Sequence, residues 1–268
     1  MSLLRVEGPF DHTLTTPRFR AFGLDRANVW HERGLHRVIG GREVRIEAAP
    51  GGVDVEPLDS ETEPVIRKLL GLEFELEPFY AWAAGIPELA ALPSRFHGFR
   101  PTLAPEPFEM LVGAITAQQV SLFAAVAIRN RLIDSFGTRA GAAWAFPSRE
   151  RLAAASEDEL VAVGFSRRKA EYVVGLARSD LDLDALAPLP DEEVKARLTA
   201  VRGLGEWTAD WFLARHLGRP RAWPAGDLAL RKAVSSLYGE ADVRAVGERF
   251  EPFQNLTAHY LLAQFLSL

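Results

Sequence analysis

The chain of 268 residues contains no cysteine. Disulfides, iron–sulfur clusters and thiolate zinc sites are therefore excluded, and a reducing, cytoplasmic setting fits. No apolar run approaches the ~18 residues that a membrane span needs. The opening MSLLRVEGPFDHTL has no long apolar stretch, so it does not read as a signal peptide. Six histidines are scattered without H-x-x-x-H or similar spacing, which offers no side-chain metal motif. An excess of positive charge is missing too. The net charge of −5 argues mildly against a nucleic-acid partner. Its distribution weakens that objection: residues 1–90 hold 10 basic and 15 acidic side chains, and the rest of the chain holds 21 of each. Local clusters such as Arg167-Arg168-Lys169 can still meet phosphates, which respond to nearby charge more than to the total.

What is present divides in two. Residues 1–85 read as a β-rich domain, with short β-branched alternations and turn signals at Gly40-Gly41 and Gly51-Gly52. A short helical pattern, EPVIRKLLG, closes at Gly71. Residues 86–268 change to long Ala/Leu-rich segments punctuated by Pro and Gly, which is a helical texture. Phe108, Leu111, Val112 and Ile115 mark one face of a helix over 107–118. Ser121 caps a second helix that Gly137 stops, Ser148 caps a third, and Ser156 with Glu159 forms a capping box. Further helices are expected over 166–178, 191–200, 228–238 and 255–266. The fold class is therefore α+β: a small antiparallel sheet domain followed by an all-helical body. That body is expected in two lobes, one over 107–220, the other built from 86–106 and 227–268.

The segment VRGLGEWTADWFLAR, Val201 to Arg215, carries the chemistry. Gly203 and Gly205 bracket Leu204 between two helices. Glycines allow turn conformations with positive φ and let another backbone approach. The amides entering the next helix are unpaired at the positive end of its dipole, which suits a phosphate. A plain αα-hairpin explains a lone Gly-x-Gly equally well. Asp227 follows 22 residues after Gly205, at the start of the next helix. It reads as an N-cap. A capping carboxylate is also fixed by backbone amides, as an electrostatic catalyst must be, and both readings can hold together.

With these pieces in order, the chain resembles the helix-hairpin-helix DNA glycosylases, and within them the 3-methyladenine DNA glycosylase II (alkylbase) branch. PFEMLVGAITAQQVS and LVAVGFSRRKAEYVVGLA are similar to two other segments of that family. The resemblance spans residues 100–260, and more faintly the β domain. It implies that Asp227 is the catalytic carboxylate, stabilising oxocarbenium character on deoxyribose and orienting or deprotonating water. An alkylated base is already a good leaving group, so no acid partner is required. Trp207 stands where strand-cutting members carry a Schiff-base lysine, which implies an enzyme that leaves an abasic site. Trp207 and Trp211, one turn apart, are implied as an aromatic wall for the extruded base; core packing is the other reading. Leu228 occupies a pocket position that is aromatic in relatives. Gln119 aligns with the wedge that fills the gap left by a flipped nucleotide. The hairpin backbone at Gly203, Leu204 and Gly205 is implied to grip DNA. Main-chain carbonyls of Thr199, Val201 and Leu204 are implied to hold a monovalent cation, sodium or potassium, with no other cofactor.

The expected partner is double-stranded DNA with alkylated bases, bound by a monomer. Arg215, Arg231 and Lys232 stand near the site as solvated charges or phosphate contacts. Two alternatives remain open on sequence: a non-catalytic DNA-gripping module, and a glycosylase for deaminated or oxidised bases. Asp227 together with Trp207 speaks against the first. The missing lysine and missing cysteines speak against the oxidised-base and cluster-bearing branches. Leu228 stands where relatives are aromatic and Gln119 where similar bacterial enzymes carry an apolar wedge, and these departures leave the range open, down to 1-methyladenine and 3-methylcytosine.

Overall fold

A computed structural model describes residues 1–266, leaving 267 and 268 of the expected body outside the described residues. Five antiparallel strands open the chain: β1 (Ser2–Arg5), β2 (Val29–His31), β3 (Gly34–Ile39), β4 (Arg42–Ala49) and β5 (Gly52–Glu56), in the order β1-β5-β4-β3-β2. A helical turn α1 (His12–Thr15) and a 3-10 turn at Pro17–Phe19 lie between β1 and β2. Register aligns Leu35 with Ile46 and Ile46 with Val55. Period-2 alternation puts these side chains on one face. There they pack on Ile66, Leu69 and Leu70 of α2 (Thr62–Leu69) and its C-cap, all buried.

The helical body runs through α3 (Leu76–Ala83), α4 (Leu92–Arg95), α5 (Pro107–Ala117) and α6 (Leu122–Phe136). A hairpin of β6 (Thr138–Ala140) and β7 (Ala143–Ala145) follows. Then come α7 (Arg149–Ala153), α8 (Glu157–Ala162), α9 (Arg167–Arg178), α10 (Asp191–Thr199), α11 (Glu206–Arg215), α12 (Leu228–Tyr238), α13 (Val243–Glu248) and α14 (Gln254–Leu266). The local caps read from sequence are present: Ser121, Ser148 and Ser156 each accept from an N3 amide, and Glu159 completes the capping box. Each such cap contributes ~1 kcal/mol.

Two details differ from the sequence expectation. The hydrophobic cores separate between Leu72 and Phe74, so α3 belongs to the helical core and not to the domain expected over 1–85. The body also contains the β6–β7 hairpin, which lies against β3. Glu43 of β4 fastens it by accepting from the Ala142 amide at 2.8 Å.

The sheet domain is welded to the body by buried charge. Arg37 on β3 pairs with Glu109 on α5 at 2.5 Å, and Arg129 on α6 pairs with both Glu109 and Asp25. Burial opposes the charge on Glu109, but the two guanidinium groups overcome it and hold its carboxyl below the usual range. Arg100 does similar work with neutral partners, donating to the carbonyls of Glu7, Pro9, Leu72 and Phe74. Among the described residues no helix is long and apolar enough to cross a membrane.

Candidate active site

The hairpin forms as its sequence suggests. Gly203 adopts φ +96°, and a Cβ there would meet Tyr172 Cγ at 2.3 Å. Gly203 is thus fixed by backbone conformation and by the tyrosine beneath it. Gly205 is different. It is extended, at φ −98°, and a Cβ there would meet nothing within 4 Å. Nothing inside the protein demands glycine at 205; what that position keeps clear is outer space. The amides of Gly205, Glu206 and Trp207 donate to no acceptor among the described residues. They open outward at the positive end of α11. Lys195 on α10 and buried Asp210 on α11, 2.8 Å apart, lock the two helices of the hairpin.

Asp227 stands at the N-cap of α12 after a Pro/Gly loop. Its Oδ1 accepts from the amides of Ala229 and Leu230 at 2.9 and 3.0 Å. Its Oδ2 accepts the Nε1–H of Trp207 and that of Trp211, each at 3.0 Å. The carboxylate is half-buried and held from two sides by elements that meet only in the fold. A carboxylate has about four lone-pair sites. Here each is engaged, which fixes the group's direction and reserves its charge for whatever comes to lie in front of it.

The two tryptophans therefore do something the spacing alone did not indicate: both indoles orient the aspartate. They are not equivalent. Trp207 is half-buried, whereas Trp211 is 6% exposed and carries the Arg215 guanidinium 4.3 Å from its ring centroid. One face of the Trp211 ring carries the Arg215 guanidinium.

Gln119 lies at the tip of the turn between α5 and α6, exposed, with a positive φ of 55°. That conformation is uncommon for a side-chain-bearing residue. The turn is anchored on both flanks. Gln118 Nε2 donates to the Gly203 carbonyl at 2.9 Å, and Lys169 Nζ donates to the Thr116 carbonyl at 2.9 Å. Lys169 is thus committed inside the protein, and Arg167 pairs with Asp158. Only Arg168 of the basic triplet faces the hairpin, bonding Tyr172 Oη.

Sequence reasoning missed the apolar knuckle around Gln119. Val120, Leu122 and Phe123 are exposed, and Phe123 meets Phe22 of the sheet domain edge-on, centroids 5.6 Å apart. The run VSLF beside Gln119 was the available signal. Leu228 is 64% exposed at the first position of α12, beside Arg231 and Lys232. Those two cations form no ion pair among the described residues. Among the same residues no cluster of acidic or histidine side chains could hold a metal.

An outward-opening helix–hairpin–helix, followed by an aspartate fixed at the start of the next helix, defines a helix-hairpin-helix protein. Residues 112–255 match the HhH-GPD superfamily of base excision DNA repair proteins. The chain belongs to that superfamily. It is 29% identical over 180 residues to a DNA-3-methyladenine glycosylase of Bacillus subtilis, covering 64% of this chain and 59% of that protein. The chain thus spans less than two thirds of that relative's length. Its fold matches the solved 3-methyladenine DNA glycosylase of Archaeoglobus fulgidus with a TM-score of 0.89 at 29% identity, over 99% of this chain and 98% of the other. It also matches a Schizosaccharomyces pombe 3-methyladenine DNA glycosylase solved with abasic DNA, with a TM-score of 0.58 at 27% identity, over 68% and 92% of the two chains.

Proposed function

We propose that the chain is a monofunctional DNA glycosylase that flips out alkylated bases, hydrolyses their bond to deoxyribose and leaves an abasic site. The observation that carries this reading is the fourfold-held carboxylate of Asp227 beside a hairpin whose free amides suit a phosphate. When the C1′–N bond breaks, both electrons leave with the base and positive charge develops on the sugar. A fixed carboxylate in front of it lowers that charge's energy without having to reorganise. Because each lone-pair site of Asp227 is engaged, its part is to stabilise charge and not to abstract water's proton. A base made cationic by alkylation departs neutral, so no acid is needed. Trp207, half-buried beside Asp227, is the indole placed to stack on the extruded base, and Gln119 is the side chain placed to fill the gap.

Double-stranded DNA is the partner, bound by a monomer in the cytoplasm. The hairpin amides, Arg168, Arg231 and Lys232 supply its backbone contacts. The carbonyls of Thr199 and Leu204 accept no hydrogen bond from described residues, and that of Val201 accepts one from the Leu204 amide. Oxygens of this kind suit a hard monovalent cation, which would add positive charge toward the same phosphate.

The reading is tested by incubating the full chain with duplexes carrying 7-methylguanine, 3-methyladenine, 1-methyladenine or 3-methylcytosine. Base release followed by strand breakage only after alkali supports it. Strand cleavage without alkali, or a borohydride-trapped covalent adduct, contradicts the monofunctional assignment.

A further inference from the structure

Two indoles donate to the same oxygen of Asp227, yet they stand in different electrostatic surroundings. Trp211 is enclosed from two directions. The Arg215 guanidinium lies 4.3 Å from its ring centroid, and the buried His259 ring of α14 packs 5.8 Å away. Trp207 is half-buried, and among the described residues no cation lies over its ring. Arg215 has two plain explanations, and neither accounts for its place. A cation in the last turn of α11 favours the helix dipole, but a side chain reaching into water would do so equally well. An ion pair would need a carboxylate, and Arg215 pairs with none among the described residues. Its Nε is buried and has no hydrogen-bond partner among them. What the guanidinium touches is the indole one helical turn earlier. That indole in turn touches the carboxylate, through an Nε1–H donated at 3.0 Å.

We propose that Arg215 is a positioning residue for the reaction: its charge, held against Trp211, orients that indole and strengthens the hydrogen bond the indole donates to Asp227. This rests on the glycosylase reading. A cation is attracted to the negative face of an indole. It draws electron density toward itself and away from the N–H edge, so the N–H becomes a stronger donor. Trp211 is almost out of water, where such polarisation is least screened. The backbone amides fix only Oδ1 of Asp227. The direction of Oδ2 depends on the indoles, and a charge-stabilising carboxylate works only while it is held in the geometry that the developing charge requires. The asymmetry also divides the work between the two rings. A guanidinium over Trp207 would repel a cationic base that comes to stack there, so the charge sits on the enclosed indole instead.

The test is single-turnover release of 7-methylguanine, with affinity for abasic-site DNA, by the full chain and by Arg215→Gln, Arg215→Lys, Trp211→Phe and the double variant Trp211→Phe with Arg215→Gln. Phenylalanine keeps a ring beneath the cation and lacks the N–H. Arg215→Gln is expected to slow release about tenfold, the scale of one desolvated cation–π contact, while abasic-site affinity stays within about threefold. Arg215→Lys should recover most of the rate. In the Trp211→Phe background, Arg215→Gln should slow release by no more than about twofold, although it lowers the melting temperature as much as in the unmodified chain. An equal fall in rate in both backgrounds overturns the proposal, because the effect would then not pass through the N–H. So does an unchanged rate for Arg215→Gln, or a joint loss of rate and affinity. Each of these leaves the glycosylase reading intact as long as the unmodified chain releases the base; no release of any alkylated base by the unmodified chain defeats both. Should Arg215→Gln not fold, Arg215→Met keeps the apolar stem, removes the charge and carries the same comparison.

Discussion

At Asp227 a local and a global requirement coincide. The same side chain starts a helix through Oδ1 and has its Oδ2 fixed by two indoles. Removing the cap bonds costs ~1 kcal/mol of stability, whereas removing the charge is expected to remove the reaction. The aspartate and both tryptophans were legible in the sequence, because an N-cap and an i, i+4 pair are local patterns. That both indoles point their N–H at one oxygen was not, since it depends on how α11 and α12 dock. Gly205 supplies the prediction at this scale. Gly205→Ala meets no atom within 4 Å in the free protein, so its melting temperature should stay within a degree or two of the unmodified chain. On the glycosylase reading its affinity for duplex DNA should fall, because the added methyl would enter the space where a phosphate meets the hairpin amides. A binding titration showing full affinity would mean that no backbone approaches there.

Among the elements, the turn between α5 and α6 and the hairpin between α10 and α11 are joined directly. Gln118 donates to the Gly203 carbonyl, so the strained tip at Gln119 is tied to the hairpin rather than floating beside it. Gln118→Ala should cost ~1 kcal/mol or less of stability. It should slow base flipping, read as a smaller 2-aminopurine fluorescence rise opposite the lesion and a lower single-turnover rate, with duplex affinity nearly kept. If affinity falls instead and flipping is unchanged, Gln118 serves the hairpin and not the wedge. Helix limits at this scale were largely readable, because Ser121, Ser148, Ser156 and Gly137 act through neighbouring residues. The β6–β7 hairpin was not: strands of three residues are too short to show a period, and they exist because β3 lies alongside.

For the molecule as a whole, two histidines record how tightly its parts are packed. His216 is held between the Ala104 carbonyl and Lys68 of α2, and burial with that ammonium lowers it to about 4. Burial and the Arg18 charge lower His259 to about 3. Both fold neutral, whereas the unfolded chain gains their protons as pH drops through ~6.5. A depressed histidine contributes stability that is whole above its unfolded pKa and shrinks as pH falls toward the folded one. At pH 5 the loss is about 2 kcal/mol for each histidine. Urea unfolding at pH 7 and pH 5 should show this loss, and His259→Gln should lose about 2 kcal/mol less than the unmodified chain over the same interval. An identical loss in both proteins would mean that His259 does not fold neutral. The Arg37–Glu109–Arg129 cluster acts on the same scale. Glu109→Ala would leave two guanidinium groups buried without their carboxylate and should destabilise the fold by ~3 kcal/mol or more, read as a lowered urea midpoint.

The central claim is that Asp227 supplies the charge that lets an alkylated base depart. Single-turnover release of 7-methylguanine from a duplex by Asp227→Asn, alongside its affinity for abasic-site DNA, tests it most directly. The amide keeps the shape of the cap and loses the charge, so release should become undetectable while abasic-site affinity stays within about threefold. Release at the unmodified rate by Asp227→Asn would contradict the account.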